Sequence, residues 1–289
     1  MPTKVEKDQI TGTETTGHEW DGIKELNTPL PKWWLYVFYA TIVWALVYVV
    51  LYPAIPLWSD STEGVLGYSQ REVIREQVAR AKAGQAEYLN AIEEAELAAI
   101  VQDSDLLNFA VAGGGAAFAS NCAPCHAQGG AGQAGGYPSL ADDVWLWGGS
   151  LEAIQTTLLH GIRWDEDPDT RYSEMPVFGQ IYSQEEIGQI AHYVVSLSGG
   201  EHEAALAGQG EALYLEQCAA CHMEDGAGMQ DLGAPRLNDQ VWLYGGTVEE
   251  VAAQITDPKQ GVMPSWGNRL DPATIKMLSV YVHSLGGGE

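Results

Sequence analysis

Every cysteine in the chain falls in one of two Cys-x-x-Cys pairs, Cys122 with Cys125 and Cys218 with Cys221, and a histidine follows each pair directly, His126 and His222. A disulfide framework spreads cysteines through a small domain; here none is left over and both pairs have the same neighbour. The surrounding sequence repeats too. Cys122, Cys125 and His126 match Cys218, Cys221 and His222 at an offset of 96, and Pro138, Leu140 and WLWGG at 145–149 match Pro235, Leu237 and WLYGG at 242–246 at 97. Met175-Pro176 and Tyr193 match Met263-Pro264 and Tyr281 at 88, so the first copy carries nine extra residues in an acidic loop around 164–173. Each copy is poor in strand signals and rich in helix starts. Ser183 with Glu186 and Thr247 with Glu250 are spaced as capping boxes, Ser150 is an N-cap, and Asp271-Pro272 puts proline in a first turn. The expectation is an all-α fold with two tandem domains of about four short helices each, in which a cofactor forms part of the core.

Two cysteines three positions apart on one helical turn present both sulfurs on one side, where they add to the two vinyl groups of a haem, and the next residue lies under the iron. Cys122, Cys125 and His126 are therefore expected to hold one covalently bound haem c, and Cys218, Cys221 and His222 a second. The carbonyls of Pro138 and Pro235 are candidates to hold the other ring nitrogen of each histidine. A far axial ligand is needed some 40–50 positions on, and Met-Pro occurs there twice: Met175 lies 49 residues after its histidine and Met263 lies 41. A thioether suits low-spin iron, and the adjacent proline stiffens the loop presenting it. The repeat assigns each methionine to its own domain; two facing domains that exchanged these loops would put Met263 on the first haem and Met175 on the second, with the same ligand set. A four-cysteine zinc site explains neither the histidines nor the Met-Pro pairs, and a thioredoxin-like pair needs a preceding strand and one copy.

Met223, Met229 and Met277 have no repeat partner and are assigned to packing. His160, His192, His202 and His283 also lack counterparts and belong at surface or satisfied core positions, with bis-histidine ligation through His160 left open. Trp145, Trp242 and Tyr244 are expected at the haem edges, their donors toward a propionate that Arg236 pairs with, although filler accounts for the aromatics equally well. No catalytic residue is expected.

From residue 33 to 59 the chain has 27 residues without a charged side chain, with Trp33, Trp34 and Tyr36 at one end and Tyr52 and Trp58 at the other. About 20 apolar residues cross a bilayer, and aromatic residues favour its interfaces. The resulting division is a flexible tail at 1–32, a transmembrane anchor at 33–59, a helical connector at 60–112, and cytochrome c domains at 113–200 and 201–289. Covalent haem c is attached outside the bacterial cytoplasm, which puts everything after Asp60 outside. The net charge is −25, and beyond residue 113 there are 23 acidic residues against six basic ones. Nucleic acid is excluded as a partner. A solvated acidic surface and one that steers a basic protein partner account for the charge about equally well.

The tail ending in KELNTPLPKWW at 24–34, the single anchor with Tyr52-Pro53-Ala54 near its end, and the two Cys-x-x-Cys-His domains together resemble the dihaem subunit III, the CcoP or FixP type, of cbb3-type cytochrome c oxidases, over nearly the whole chain. The resemblance implies a bacterial inner-membrane, single-pass protein with its haem domains in the periplasm. It also implies electron flow from a soluble or membrane-bound cytochrome c, through these haems and a monohaem cytochrome c subunit, to a haem-copper catalytic subunit. The anchor contains no histidine, so its role is tethering and docking. The alternatives are a stand-alone membrane-tethered dihaem shuttle and a dihaem peroxidase; the latter needs an open sixth position, against which the paired Met-Pro argues.

Overall fold

The computed structural model describes residues 4–286; residues 1–3 and 287–289, the outer ends of the expected tail and second domain, lie outside the described residues. The chain divides into two compact units, Met1–Ala83 and Gly84–Glu289.

In the first unit a β-hairpin stands where a flexible tail was expected. Strands β1 (Thr15–Trp20) and β2 (Ile23–Leu26) pair antiparallel, with Trp20 opposite Ile23. The two residues between them, Asp21 and Gly22, both have positive φ, at 49° and 85°. That is the conformation a two-residue hairpin turn requires, and Asp-Gly is among the sequences that adopt it most readily. Helix α1 (Lys32–Leu51) follows, with no buried residue along its length. At 1.5 Å per residue its 20 residues span about 30 Å, the thickness of a bilayer's hydrocarbon core. It stops short of the expected end at residue 59 because Pro53 forces Tyr52 out of the helical region, to φ −119° and ψ 159°. The chain then folds back to satisfy the freed carbonyls: the amides of Val65 and Leu66 donate to Val50 and Leu51 at 2.9 and 3.1 Å.

Helix α2 (Gln70–Glu94) runs across the division, and the second unit continues with α3 (Leu97–Gln102), α4 (Ser104–Asn121), α5 (Ala123–His126), α6 (Leu151–His160), α7 (Gln184–Leu197), α8 (Ala204–Gln217), α9 (Ala219–His222), α10 (Val248–Thr256) and α11 (Pro272–His283). The capping expectations hold: Ser183–Glu186 and Thr247–Glu250 form complete boxes, and Ser150 and Asp271 cap α6 and α11.

The repeats are interleaved. Helix α4, which leads into the first motif, packs on α11 from the second repeat, and α8, which leads into the second motif, packs on α7 from the first. The two crossings are built alike. Phe118 of α4 meets Tyr281 with ring centroids 5.3 Å apart, and Tyr214 of α8 meets Tyr193 at 5.1 Å. Gly114 and Gly210, 96 positions apart, let the backbones touch: a Cβ on the first would meet the Met277 carbonyl, and on the second the Gln189 carbonyl. Helix α6 in turn lies on α11, and α10 on α7. One cluster thus joins Phe118, Cys122, Ile154 and Leu158 to Ile275, Leu278 and Val282; the other joins Tyr214, Cys218, Val251 and Ile255 to Ile187, Ile190 and Val194. Neither coincides with a contiguous half of the chain. Leu278 and Ile275, 0% and 2% exposed, each contribute about 1.5–3 kcal/mol of burial.

The connector is tied to this core. Ile92 and Ile100 pack with Ala110, Ala273, Met277 and Val280, and the Lys276 ammonium donates to the carbonyls of Glu93 and Ala95, both at 2.7 Å, at the end of α2.

Candidate haem centres

Helix α4 ends at buried Cys122, and the short α5 carries the rest of the first motif; the amides of Cys125 and His126 both donate to the Cys122 carbonyl, at 3.1 and 2.9 Å. Cys218, Cys221 and His222 repeat this geometry at 3.1 and 3.0 Å. In each motif the first cysteine is buried and the second exposed, and burial pushes the buried thiols up to about 11. Directly after each histidine comes a non-glycine residue at positive φ, Ala127 at 61° and Met223 at 65°. That turn swings the chain round so that the Pro138 carbonyl accepts from Nδ1 of His126 at 3.1 Å and the Pro235 carbonyl from Nδ1 of His222 at 2.9 Å. A carbonyl only accepts, so Nδ1 carries the proton and Nε2 presents its lone pair. Burial lowers both imidazole pKa values, against a smaller opposing effect of the proline carbonyls, and so favours the neutral, metal-binding form.

The methionine loops lie on opposite sites. Met263 packs in the cluster of Cys122, Ala123 and Trp145, and Met175 in that of Cys218, Ala219 and Trp242. The first arrangement is fixed by main-chain bonds: Ile162 and Met263 exchange amide and carbonyl at 2.9 and 3.0 Å. Just beyond, the Ser265 hydroxyl and Trp266 amide donate to Leu159 and Leu158, at 2.6 and 2.9 Å, in the last turn of α6. Gly161, at φ 72°, is where this approach leaves no room, since a Cβ there would run into the Met263 carbonyl. Around the second site, Phe178 packs with Val251 and Ile255, and Gly179 comes up against the Thr256 carbonyl.

Other expected residues take distinct places. Trp145 and Arg236, from different repeats, line one cavity of about 390 Å³ together with Met229 and Asp231. Tyr244 lies against Gly136 and its counterpart Trp147 against Gly233, again across the repeats. Met277 is core, Met229 half-buried, and Met223 departs from its packing assignment at 43% exposure because it is the residue at positive φ after His222. His160 has its Nδ1 3.2 Å from Asp167. His192 accepts from the Glu203 amide at 3.0 Å and His202 pairs with the Gly200 carbonyl at 2.8 Å.

Sequence reading missed Arg163, Arg171 and Gln260. The Arg163 guanidinium donates to the Gly261 and Ser173 carbonyls at 2.7 and 2.9 Å; Arg171 donates to Trp147 and Ala153 at 2.7 and 3.2 Å and lies over the Trp147 ring. Arg163 precedes and Arg171 lies within the acidic loop that only the first repeat carries, and they are two of the six basic residues beyond position 113. That scarcity was the available signal.

The donor chemistry fits haem c. Each motif offers two thiols on one turn and a neutral imidazole with Nε2 available, and a thioether packs in the same cluster. The two cysteine pairs fall in separate clusters, so they do not converge on one four-cysteine zinc site.

Comparison with known proteins carries this further. Residues 12–59 match the N-terminal domain of cytochrome oxidase-cbb3, FixP; 111–198 match cytochrome c; and 205–282 match cytochrome c oxidase, cbb3-type, subunit III. The cbb3-type cytochrome c oxidase subunit CcoP of Azospirillum sp. (strain B510) is 52% identical, with 98% of each chain covered. The chain belongs to the CcoP/FixP family. FixP of Sinorhizobium medicae (strain WSM419) is 48% identical over 98% of this chain and 97% of its own, and CcoP of Cereibacter sphaeroides 46% over 100% of both. As a CcoP/FixP protein it is a haem c-binding electron-transfer subunit of a cbb3-type oxidase rather than its catalytic subunit, with one N-terminal apolar helix suited to a single-pass anchor.

Proposed function

We propose that the chain carries two haem c groups and relays electrons from a cytochrome c donor, through a monohaem subunit, to the haem-copper centre of the oxidase. The observation that carries the site assignment is the packing of each Met-Pro loop against the opposite motif. The first haem is held by Cys122, Cys125, His126 and Met263, and the second by Cys218, Cys221, His222 and Met175. The haems supply one-electron exchange at iron. The protein's part is to hold both axial ligands fixed so that little reorganises when the charge changes. Pro138 and Pro235 orient the imidazoles, and α6 and α10 support the methionine loops. Trp145 and Arg236 share the cavity suited to a propionate, the guanidinium offering a charge-assisted bond. The helix α1 spans the inner membrane, with the haem units in the periplasm.

Removing one attachment site tests the assignment. In a Cys218→Ala, Cys221→Ala variant only the first haem remains, and adding Met263→Ala is expected to abolish its sulfur-to-iron absorption band and turn it high-spin, whereas Met175→Ala leaves the band in place. The opposite pattern returns each methionine to its own repeat, and a bis-histidine signal removes both from the ligand set.

The acidic surface favours a basic donor. Its association rate is expected to fall at least tenfold as ionic strength rises from about 0.01 to 0.15 M, over which the screening length shrinks from ~30 to ~8 Å. A flat rate measured by stopped flow rejects electrostatic steering.

A further inference from the structure

The loop that ends at Met263 and the loop that ends at Met175 are bonded to each other as well as to the sites they serve. The side chain of Gln260, three positions before Met263, brackets the main chain of Met175 itself: its Oε1 accepts from the Met175 amide at 3.0 Å and its Nε2 donates to the Met175 carbonyl at 3.3 Å. Arg163 closes the other side. Its Nε donates to Gly261, two positions before Met263, and its Nη1 to Ser173, two positions before Met175. The neighbouring backbone completes the frame, since Ile162 pairs with Met263 while the Arg163 amide donates to Arg171 at 2.8 Å. Half-buried Arg163 leaves water to make these bonds, and no carboxylate forms an ion pair with it among the described residues. Two carbonyls on two different loops are what its guanidinium satisfies.

We propose that Arg163 and Gln260 are positioning residues that make the two methionine loops one mechanical unit, so that the sulfur at each haem is held in place by the segment that presents the sulfur of the other. This rests on the exchanged ligand assignment above. Gln260 belongs to the first haem's loop by sequence but acts on Met175, the second haem's ligand; Arg163 acts on both. Loss of the Gln260 bracket therefore loosens the site that Met175 serves, and loss of Arg163 loosens both. The two irons share a stiff support, which limits ligand loss at both and keeps small exogenous ligands off them.

Imidazole displacement of the methionines from the oxidised, full-length protein tests this, each site being read by its sulfur-to-iron band and low-temperature EPR signal. Gln260→Ala is expected to raise imidazole affinity about tenfold at the haem of Cys218 and Cys221, as for the loss of two ordinary hydrogen bonds, and less than twofold at the other. Gln260→Glu keeps the acceptor for the Met175 amide and is expected to recover part of the effect, which a general loss of folding would not. Arg163→Met is expected to loosen both sites. If neither Gln260→Ala nor Arg163→Met moves either site, or Gln260→Ala moves both equally, the shared-support proposal is overturned. If Gln260→Ala loosens only the haem of Cys122 and Cys125, Met175 serves that haem and the exchanged assignment falls instead.

Discussion

Replacing Met263 with histidine is expected to lower the midpoint potential of the haem attached through Cys122 and Cys125 by on the order of 200 mV, a fraction of the ~0.8 V that axial ligands command. A thioether is a weak donor that favours reduced iron, and imidazole favours the oxidised form. The effect belongs to the first motif, although Met263 lies in the second repeat, because the Met263 loop is pinned to the end of α6 through Ile162, Leu158 and Leu159. The second haem is expected to move by less than about 60 mV, one decade for a one-electron couple. A spectrally resolved redox titration of the full-length protein checks this. A fall confined to the haem of Cys218 and Cys221 contradicts the exchanged packing.

The second large effect concerns folding. Gly114→Val and Gly210→Val each place branched side chains where α4 meets the backbone of α11, or α8 that of α7, and the obstructing atoms are main-chain carbonyls that no rotamer change removes. Each is expected to cost about 3 kcal/mol or more, at or above the usual range for overpacking, and to lower the denaturant midpoint for loss of haem-pocket circular dichroism. Gly208→Ala is the contrast. Gly208 is helical, exposed and has nothing within 4 Å of its absent Cβ, so alanine there is expected to stabilise by about 0.5–1 kcal/mol. Equal midpoints for Gly114→Val and Gly208→Ala would show that the helix crossing tolerates a side chain.

Much of this architecture is legible in local sequence because local rules set it. Caps at Ser150, Ser183, Thr247 and Asp271, the turn-forming Cys-x-x-Cys-His motifs and the charge-free run are all decided within a few residues. Within the charge-free stretch the helix ends early because Pro53 stops it sterically, which a count of charges and interfacial aromatics does not register. The hairpin at 15–26 was also local, written in Asp21-Gly22, and was passed over because its strands are short and polar. The interleaving of the repeats is different in kind. The capping, pairing and spacing of α7 and α11 are the same whether each folds back on its own repeat or crosses to the other, so the repeat pattern is silent on the choice. The six residues between α7 and α8 hold those two helices next to each other, and the structure uses that nearness. The cross-repeat roles of Arg163 and Gln260 are silent for the same reason: Gly261 and Met175, the partners that define them, lie 98 and 85 positions away.

Interleaving also sets a timetable for biogenesis. A chain made from its N-terminus delivers Cys122 and His126 first, but the helix that closes around them, α11, is the last helix to be made among the described residues. Met263 follows His126 by 137 positions, which at ~5–20 residues per second is a wait of roughly 7–27 s. The second motif, by contrast, finds Met175 and α7 already made when it appears. A message cut short between Thr256 and Pro272 therefore leaves open the pocket nearest the start of the chain, while the later one keeps the helix and loop it borrows from the first repeat.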